Sequence, residues 1–139
     1  LHTISASATI DRIIDAFPAN QQEQIRSVLS VALKTIIAQT LLPHASGKGR
    51  LASYEILHCL PSVQNLIREG KTNRIISTIQ TSAKAGMVTM DDFLFKLYTE
   101  KKITGEVALQ RAHFPEELRV KMMGGGTEEE EEEEEEPVI

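Results

Sequence analysis

Gly47-Lys48-Gly49 is the candidate for a phosphate-holding loop in this 139-residue chain. Glycines let backbone N–H groups close around a phosphate, and a lysine adds the charge. A complete loop of this kind starts with a Gly five residues earlier and ends in a Ser or Thr that holds a metal. Leu42 stands in the first place and Gly49 in the last. The segment also lies between two apolar stretches that read as strands, whereas a phosphate loop joins a strand to a helix. Turn glycines account for it better. No acidic residue closes a buried strand in the manner of a metal-holding Walker B carboxylate. The chain cannot assemble a phosphoryl-transfer site by itself.

Nucleophiles and metal ligands fare no better. His44 lies in a turn, His58 closes a strand and His113 sits between helices, none at metal-ligand spacing from another His or from Cys59. On a strand His58 and Cys59 point to opposite faces, which disfavours an activated thiolate. Cys59 reads as a small buried apolar residue, and Ser62 as a helix cap. His2 reads from its position as a fraying terminal residue.

The charged end of Ser62-Val-Gln-Asn-Leu-Ile-Arg-Glu69 offers a different kind of chemistry. Val63, Leu66 and Ile67 form an apolar helical face, and Gly70 supplies the stop. Asn65, Arg68 and Glu69 stand at i, i+3 and i+4 and so share one side. They make either a salt-bridged end that fixes the helix to its neighbours or a docking surface. The guanidinium fork and the carboxylate suit a defined docking geometry. Lys71 and Arg74 add too little charge, with no aromatic interleaving, for a nucleic-acid surface.

The elements that must position these residues are mostly helical. Ile10, Ile13, Ile14 and Phe17 predict an amphipathic helix from Ser7 to Phe17, stopped by Pro18. Asn20 with Glu23 predicts a cap for a second helix, striped by Ile25, Val28, Leu29, Ala32, Leu33 and Ile36. Ile37–Leu42 and Leu51–Leu57 predict a β-hairpin around the Gly47 turn. Pro61 or Ser62 opens the next helix. Ile75, Ile76 and Ile79 mark another, ending near Gly86. Thr89-Met-Asp-Asp92 is a capping box ahead of Phe93, Leu94, Leu97 and Tyr98, and Thr104 and Pro115 start two short final helices.

Composition narrows the class. Hydrophobic residues make up 41% of the chain but aromatics only 4%, with no Trp, so the core is built from aliphatic side chains. One cysteine excludes an internal disulfide and a multi-cysteine zinc site. No apolar run approaches a membrane span, and the Leu-His-Thr start has neither an initiator Met nor a signal peptide. These features favour a cytosolic protein that begins in mid-sequence. The net charge of -5 hides a split. Residues 128–136 are nine consecutive glutamates, so residues 1–127 carry a net +4. Residues 124–139, a Gly linker and the acidic run, read as a disordered tail.

Several blocks then agree in order with one family. They are Leu1-His2-Thr3; Thr9-Ile-Asp-Arg-Ile-Ile-Asp15 with Phe17-Pro18; Gln21-Gln-Glu-Gln24; Ala38-Gln-Thr-Leu-Leu-Pro43; Asn65-Leu66-Ile67-Arg68-Glu69; and Gly86-Met87 with Met90-Asp91. Together they resemble the twitching-motility retraction ATPases of type IV pili, from Leu1 to about Ala112. The extension and secretion relatives carry a cysteine-rich loop that is absent here. The glutamate tail is no part of the family pattern.

The resemblance implies a C-terminal fragment of a hexameric, cytoplasmic motor at the inner face of the inner membrane. Mg2+ and ATP would serve the parent, with none bound by the fragment alone. The partners implied are the other subunits of a homo-hexamer and the inner-membrane platform of the pilus, with no nucleic acid and no transmembrane segment. His2 would be the end of the family's His box, catalytic or nucleotide-sensing only in the parent. Residues 65–69 would be a coupling motif for retraction. The fold expected is mainly α with a small antiparallel β-hairpin, the C-terminal part of an α/β RecA-like P-loop domain plus a helical appendage. Residues 1–60 would belong to the RecA-like part and 61–123 to a helical subdomain. A free-standing, non-catalytic helical interaction or regulatory module is the alternative reading.

Overall fold

The computed structural model describes residues 1–124. Most of the tail expected over 124–139 therefore lies outside the described residues; Gly124 alone is placed, in a turn after the last helix. The architecture matches the expected class, mainly helical with one two-stranded antiparallel sheet.

Helix α1 spans Ala6–Asp15, where Ser5 caps by accepting the Ala8 N–H at 3.1 Å and Ala6, Ile10 and Ile14 turn inward. Helix α2 spans Ala19–Ala32, and its start corrects the sequence expectation. Pro18, extended at ψ 149°, occupies the cap position, so Asn20 falls inside the first turn and makes no cap. Proline fixes φ where a helix begins and needs no side-chain cap to stop the preceding chain. The α2 stripe is also narrower than its sequence suggests. Ile25 and Leu29 are half-buried and Val28 is 54% exposed, while Leu33 ends the helix and Ile36 falls on the strand that follows.

The hairpin forms as expected, slightly longer at both ends. Strand β1 (Thr35–Pro43) pairs with β2 (Arg50–His58) from Thr35 opposite His58 to Pro43 opposite Arg50. The loop between them is closed by His44 and Gly49, with Gly47 and Gly49 at positive φ. On the free edge of β2, Ile56 exchanges both backbone hydrogen bonds with Val88, at 2.9 and 3.2 Å. That bridge brings the start of a distant helix against the sheet.

Helix α3 (Pro61–Arg68) has Pro61 in its first turn, and Leu60 rather than Ser62 is its cap residue. Ser62 is thus two residues too deep to cap, because proline takes the favoured first position. The isoleucine helix is shorter than expected. Only Ile75–Gln80 (α4) is α-helical, flanked by single 3-10 turns at Thr72–Arg74 and Ala83–Ala85, before Gly86 reverses the chain at φ 83°. Helix α5 (Met90–Thr99) has the expected Thr89 cap, accepting the Asp92 N–H at 3.1 Å. Helices α6 (Gly105–Arg111) and α7 (Pro115–Met122) begin at Thr104 and Pro115 as read.

Two apolar clusters result. The first joins α1, Ile36, Leu57, Cys59, the Val63–Ile67 face of α3, α4 and Met87. The second joins Leu42 to Met90, Leu94, Leu97, Ile103, Ala108 and Leu118. Between them the inward face of the hairpin is polar or small: Ala38 stands opposite Glu55 and Thr40 opposite Ser53. Glu55 and Ser53 are buried there.

Candidate functional site

The motif helix α3 separates into a buried and an exposed face. Val63 and Ile67 are fully buried, Leu66 packs partly against the same cluster, and Asn65, Arg68 and Glu69 are all exposed. Its end is a full C-terminal closure. Gly70 is left-handed at φ 69°, its N–H donates to the Ile67 carbonyl at 3.2 Å, and the Lys71 N–H donates to the Leu66 carbonyl at 2.8 Å. Among the described residues the polar side chains bond only to their own neighbours. Arg68 donates to Asn65 Oδ1 at 2.8 Å, and Lys71 pairs with Glu69 at 3.1 Å, both pairs exposed to solvent. Among the described residues no side-chain bond from Asn65, Arg68 or Glu69 reaches another element. The helix is fixed by its apolar face, which leaves the polar face free to meet something else.

Gly70-Lys71-Thr72 carries a Gly-Lys-Thr order that the sequence reading passed over. The geometry disposes of it as a phosphate cradle. It follows the C-terminus of α3, where carbonyls and the negative end of the helix dipole repel an anion. The Thr72 hydroxyl is already donated to Asp11, at 2.7 Å. Asn65 also occupies the place of the first glycine. The hairpin loop at Gly47-Lys48-Gly49 joins two strands, as expected, and presents no helix N-terminus.

His2 is exposed and lines an open groove of about 730 Å3 with Thr9, the run of β1 from Ile36 to Leu41 and Arg111. It therefore sits beside the unpaired edge of the hairpin, next to exposed Ile37 and Leu41. His58 stands 3.0 Å from the Thr35 hydroxyl across the strand pair. Cys59 is buried, and burial pushes its thiol above the ordinary value against a smaller pull from Lys34. A protonated thiol behind an apolar cluster is no nucleophile. Among the described residues no three of His, Cys, Asp and Glu gather to hold a metal.

Glu55 is the residue that sequence reasoning missed. It lies on β2, 2% exposed, and both carboxylate oxygens are used. One accepts the N–H of Ala6 at 2.9 Å and the other the N–H of Met90 at 3.1 Å. These are the first residues of α1 and α5. Each helix thus has a hydroxyl cap for a later N–H and shares one carboxylate for its first. Two positive helix ends and two charge-assisted hydrogen bonds offset the cost of burying the charge. The His113 Nδ1 lies 3.9 Å from the same carboxylate, and its Nε2 is buried without a partner among the described residues. Asp91 completes the knot by accepting the backbone N–H groups of His113 and Phe114 at 2.7 and 2.9 Å.

No family model matches the chain. Its sequence is 47% identical over 118 residues to a twitching motility protein of Neisseria gonorrhoeae, covering 85% of this chain and 32% of that protein. It is 44% identical over 116 residues to the type IV pilus retraction ATPase PilT of Pseudomonas aeruginosa, covering 84% of this chain and 33% of that one. Among solved structures it is similar to the pilus retraction motor PilT with bound ADP. There the TM-score is 0.75 at 45% identity, over 86% of this chain and 33% of that chain. The chain therefore spans about a third of the length of the curated relatives it matches.

Proposed function

We propose that this chain, which belongs to the PilT-type family of type IV pilus retraction ATPases, is the C-terminal part of an ATP-driven motor that withdraws pili and powers twitching motility. The observation that carries the reading is the likeness to the ADP-bound retraction motor across nearly the whole chain, at a TM-score of 0.75. On this reading the working unit is a homo-hexamer, cytoplasmic, docked against the inner-membrane platform of the pilus. None of the described helices is long and apolar enough to cross a membrane.

ATP and Mg2+ do not fit the described residues. Both Gly-Lys segments fail as cradles, and no acidic cluster stands ready for a metal. We assign nucleotide binding to the remainder of the longer protein. What this chain supplies is a mounting. His2 leads within four residues into α1, and in the motor it would face the nucleotide side. The exposed Asn65, Arg68 and Glu69 would be the surface through which movement is passed on.

A chimera tests the assignment. Residues 1–123 replace the matching third of PilT in a Pseudomonas aeruginosa strain lacking its own copy, and twitching zones are measured. Restored twitching is expected. A chimera that reaches normal levels, assembles and hydrolyses ATP yet never restores twitching would remove the retraction assignment.

A further inference from the structure

We infer that Glu55 is a positioning residue that makes α1, the hairpin, α5 and the α6–α7 link respond as one body. The argument starts from its place in the sheet. The inward positions of β2 are Ser53, Glu55 and Leu57, with Cys59 in step just past its end, all buried, so a carboxylate stands where the period of the strand calls for an apolar side chain. Burying a charge is expensive unless it is fully paired. Among the described residues its two hydrogen bonds both come from backbone N–H groups, at 2.9 and 3.1 Å, that belong to two different helices, with His113 Nδ1 farther off at 3.9 Å. Ala38, directly across the ladder, is small enough to let both helix ends approach.

Neither oxygen can be released alone without leaving a buried, half-paired carboxylate. Loosening the first turn of α1 therefore loosens the first turn of α5, and the reverse. Asp91 carries the constraint one step further. It is the second residue of α5, and its carboxylate holds the backbone of His113 and Phe114 between α6 and α7. The segment bearing His2 is thereby tied to the last helices across the gap between the two apolar clusters. Only the origin of the motion, on the His2 side, rests on the motor reading above; the tie itself stands on this chain alone.

Backbone amide hydrogen exchange in the intact 139-residue chain tests it. Ser5→Ala removes the side-chain cap of α1 without touching α5. In the wild-type background it is expected to speed exchange at least fivefold at Met90, His113 and Phe114 as well as in α1. Glu55→Gln keeps the shape but offers one acceptor oxygen where two N–H groups need one each. In that background Ser5→Ala should speed exchange in α1 only. Should Glu55→Gln fail to fold, Ala6→Pro serves instead. It deletes only the α1 N–H, at the first helical position where proline is tolerated, and should likewise confine the Ser5→Ala effect to α1. The inference is overturned if Ser5→Ala leaves His113 and Phe114 unchanged in the wild-type background. It is equally overturned if their acceleration persists in Glu55→Gln or Ala6→Pro. No motor takes part in this measurement, so a failed chimera and a failed tie are told apart.

Discussion

Arg68 turns its guanidinium back along α3 onto Asn65, 2.8 Å away, and leaves the adjacent Glu69 to Lys71. The sequence offered two roles for this charged end, a tie to neighbouring elements or a presented surface. The tie would need a bond that leaves the segment, and among the described residues neither side chain makes one. A local Asn–Arg bond instead holds the guanidinium in one orientation at the surface. That pre-orders it for a partner at little cost in side-chain entropy.

Arg68→Ala should therefore cost this chain less than about 1 kcal/mol of stability, since one exposed hydrogen bond is lost and no cavity opens. Chemical denaturation of the two proteins measures it. In the chimera, the same change and Glu69→Ala are expected to keep assembly and ATP turnover while twitching stops. Normal twitching at normal protein level would end the coupling role. A denaturation midpoint that collapses would return the residues to the fold.

Gly70→Ala should be the more damaging change to stability, though it removes no side-chain contact. Gly70 sits at φ 69°, and an added Cβ would lie 3.5 Å from Arg26 Nε, an ordinary contact. The cost is therefore in the backbone, about 1–2 kcal/mol for a left-handed L-residue. Alanine should lower the unfolding midpoint clearly, and asparagine, which tolerates that region, should lower it less. Equal stability of all three would mean that the closure of α3 opens freely in solution.

Much of the scaffold could be read in advance because its signals are local. Thr89 and Thr104 cap because a hydroxyl three residues ahead of an N–H is a short-range arrangement, and the hairpin followed from alternation around glycines. The failures have physical causes too. Asn20 and Ser62 looked like caps until prolines beside them took the entry positions of α2 and α3. Val28 fits the α2 stripe but nothing in the described residues covers that side. Glu55 escaped because its partners are backbone amides of residues 6 and 90, which have no sequence signature. Its parity with Leu57 on β2 and with Cys59 just beyond was the one available sign that a charge was going inside. Gly70-Lys71-Thr72 shows the opposite error risk, a motif order whose meaning depends on which end of a helix it follows.

The isolated chain should hydrolyse no ATP. A phosphate loop works by aiming N–H groups and a helix N-terminus at the anion, whereas Lys71 here follows a helix C-terminus and is paired with Glu69. Phosphate release with Mg-ATP should stay at buffer background through a second purification. Turnover that survives purification and falls in Lys71→Ala or Lys48→Ala would show that one of the two segments does cradle a phosphate.

Burial of Cys59 should make this fold's stability fall at alkaline pH. The folded thiol has its pKa raised from the ordinary 9.0, chiefly by desolvation, with Lys34 opposing. A group raised in the folded state gives a contribution that is whole below its unfolded pKa. That contribution is lost as pH climbs through 9.0 towards the folded value, because the unfolded chain ionises first. The loss can be no steeper than about 1.4 kcal/mol per pH unit from this one group. Unfolding free energies measured from pH 7 to 10.5 should fall more steeply above 9 in the wild type than in Cys59→Ala. Taking the difference between the two proteins cancels the lysines and tyrosines that titrate in the same range. At pH 8 the native thiol should also react with iodoacetamide far more slowly than the thiol of the denatured chain. Parallel pH curves for the two proteins, together with fast native alkylation, would place Cys59 in contact with water and dissolve the argument for its apolar role.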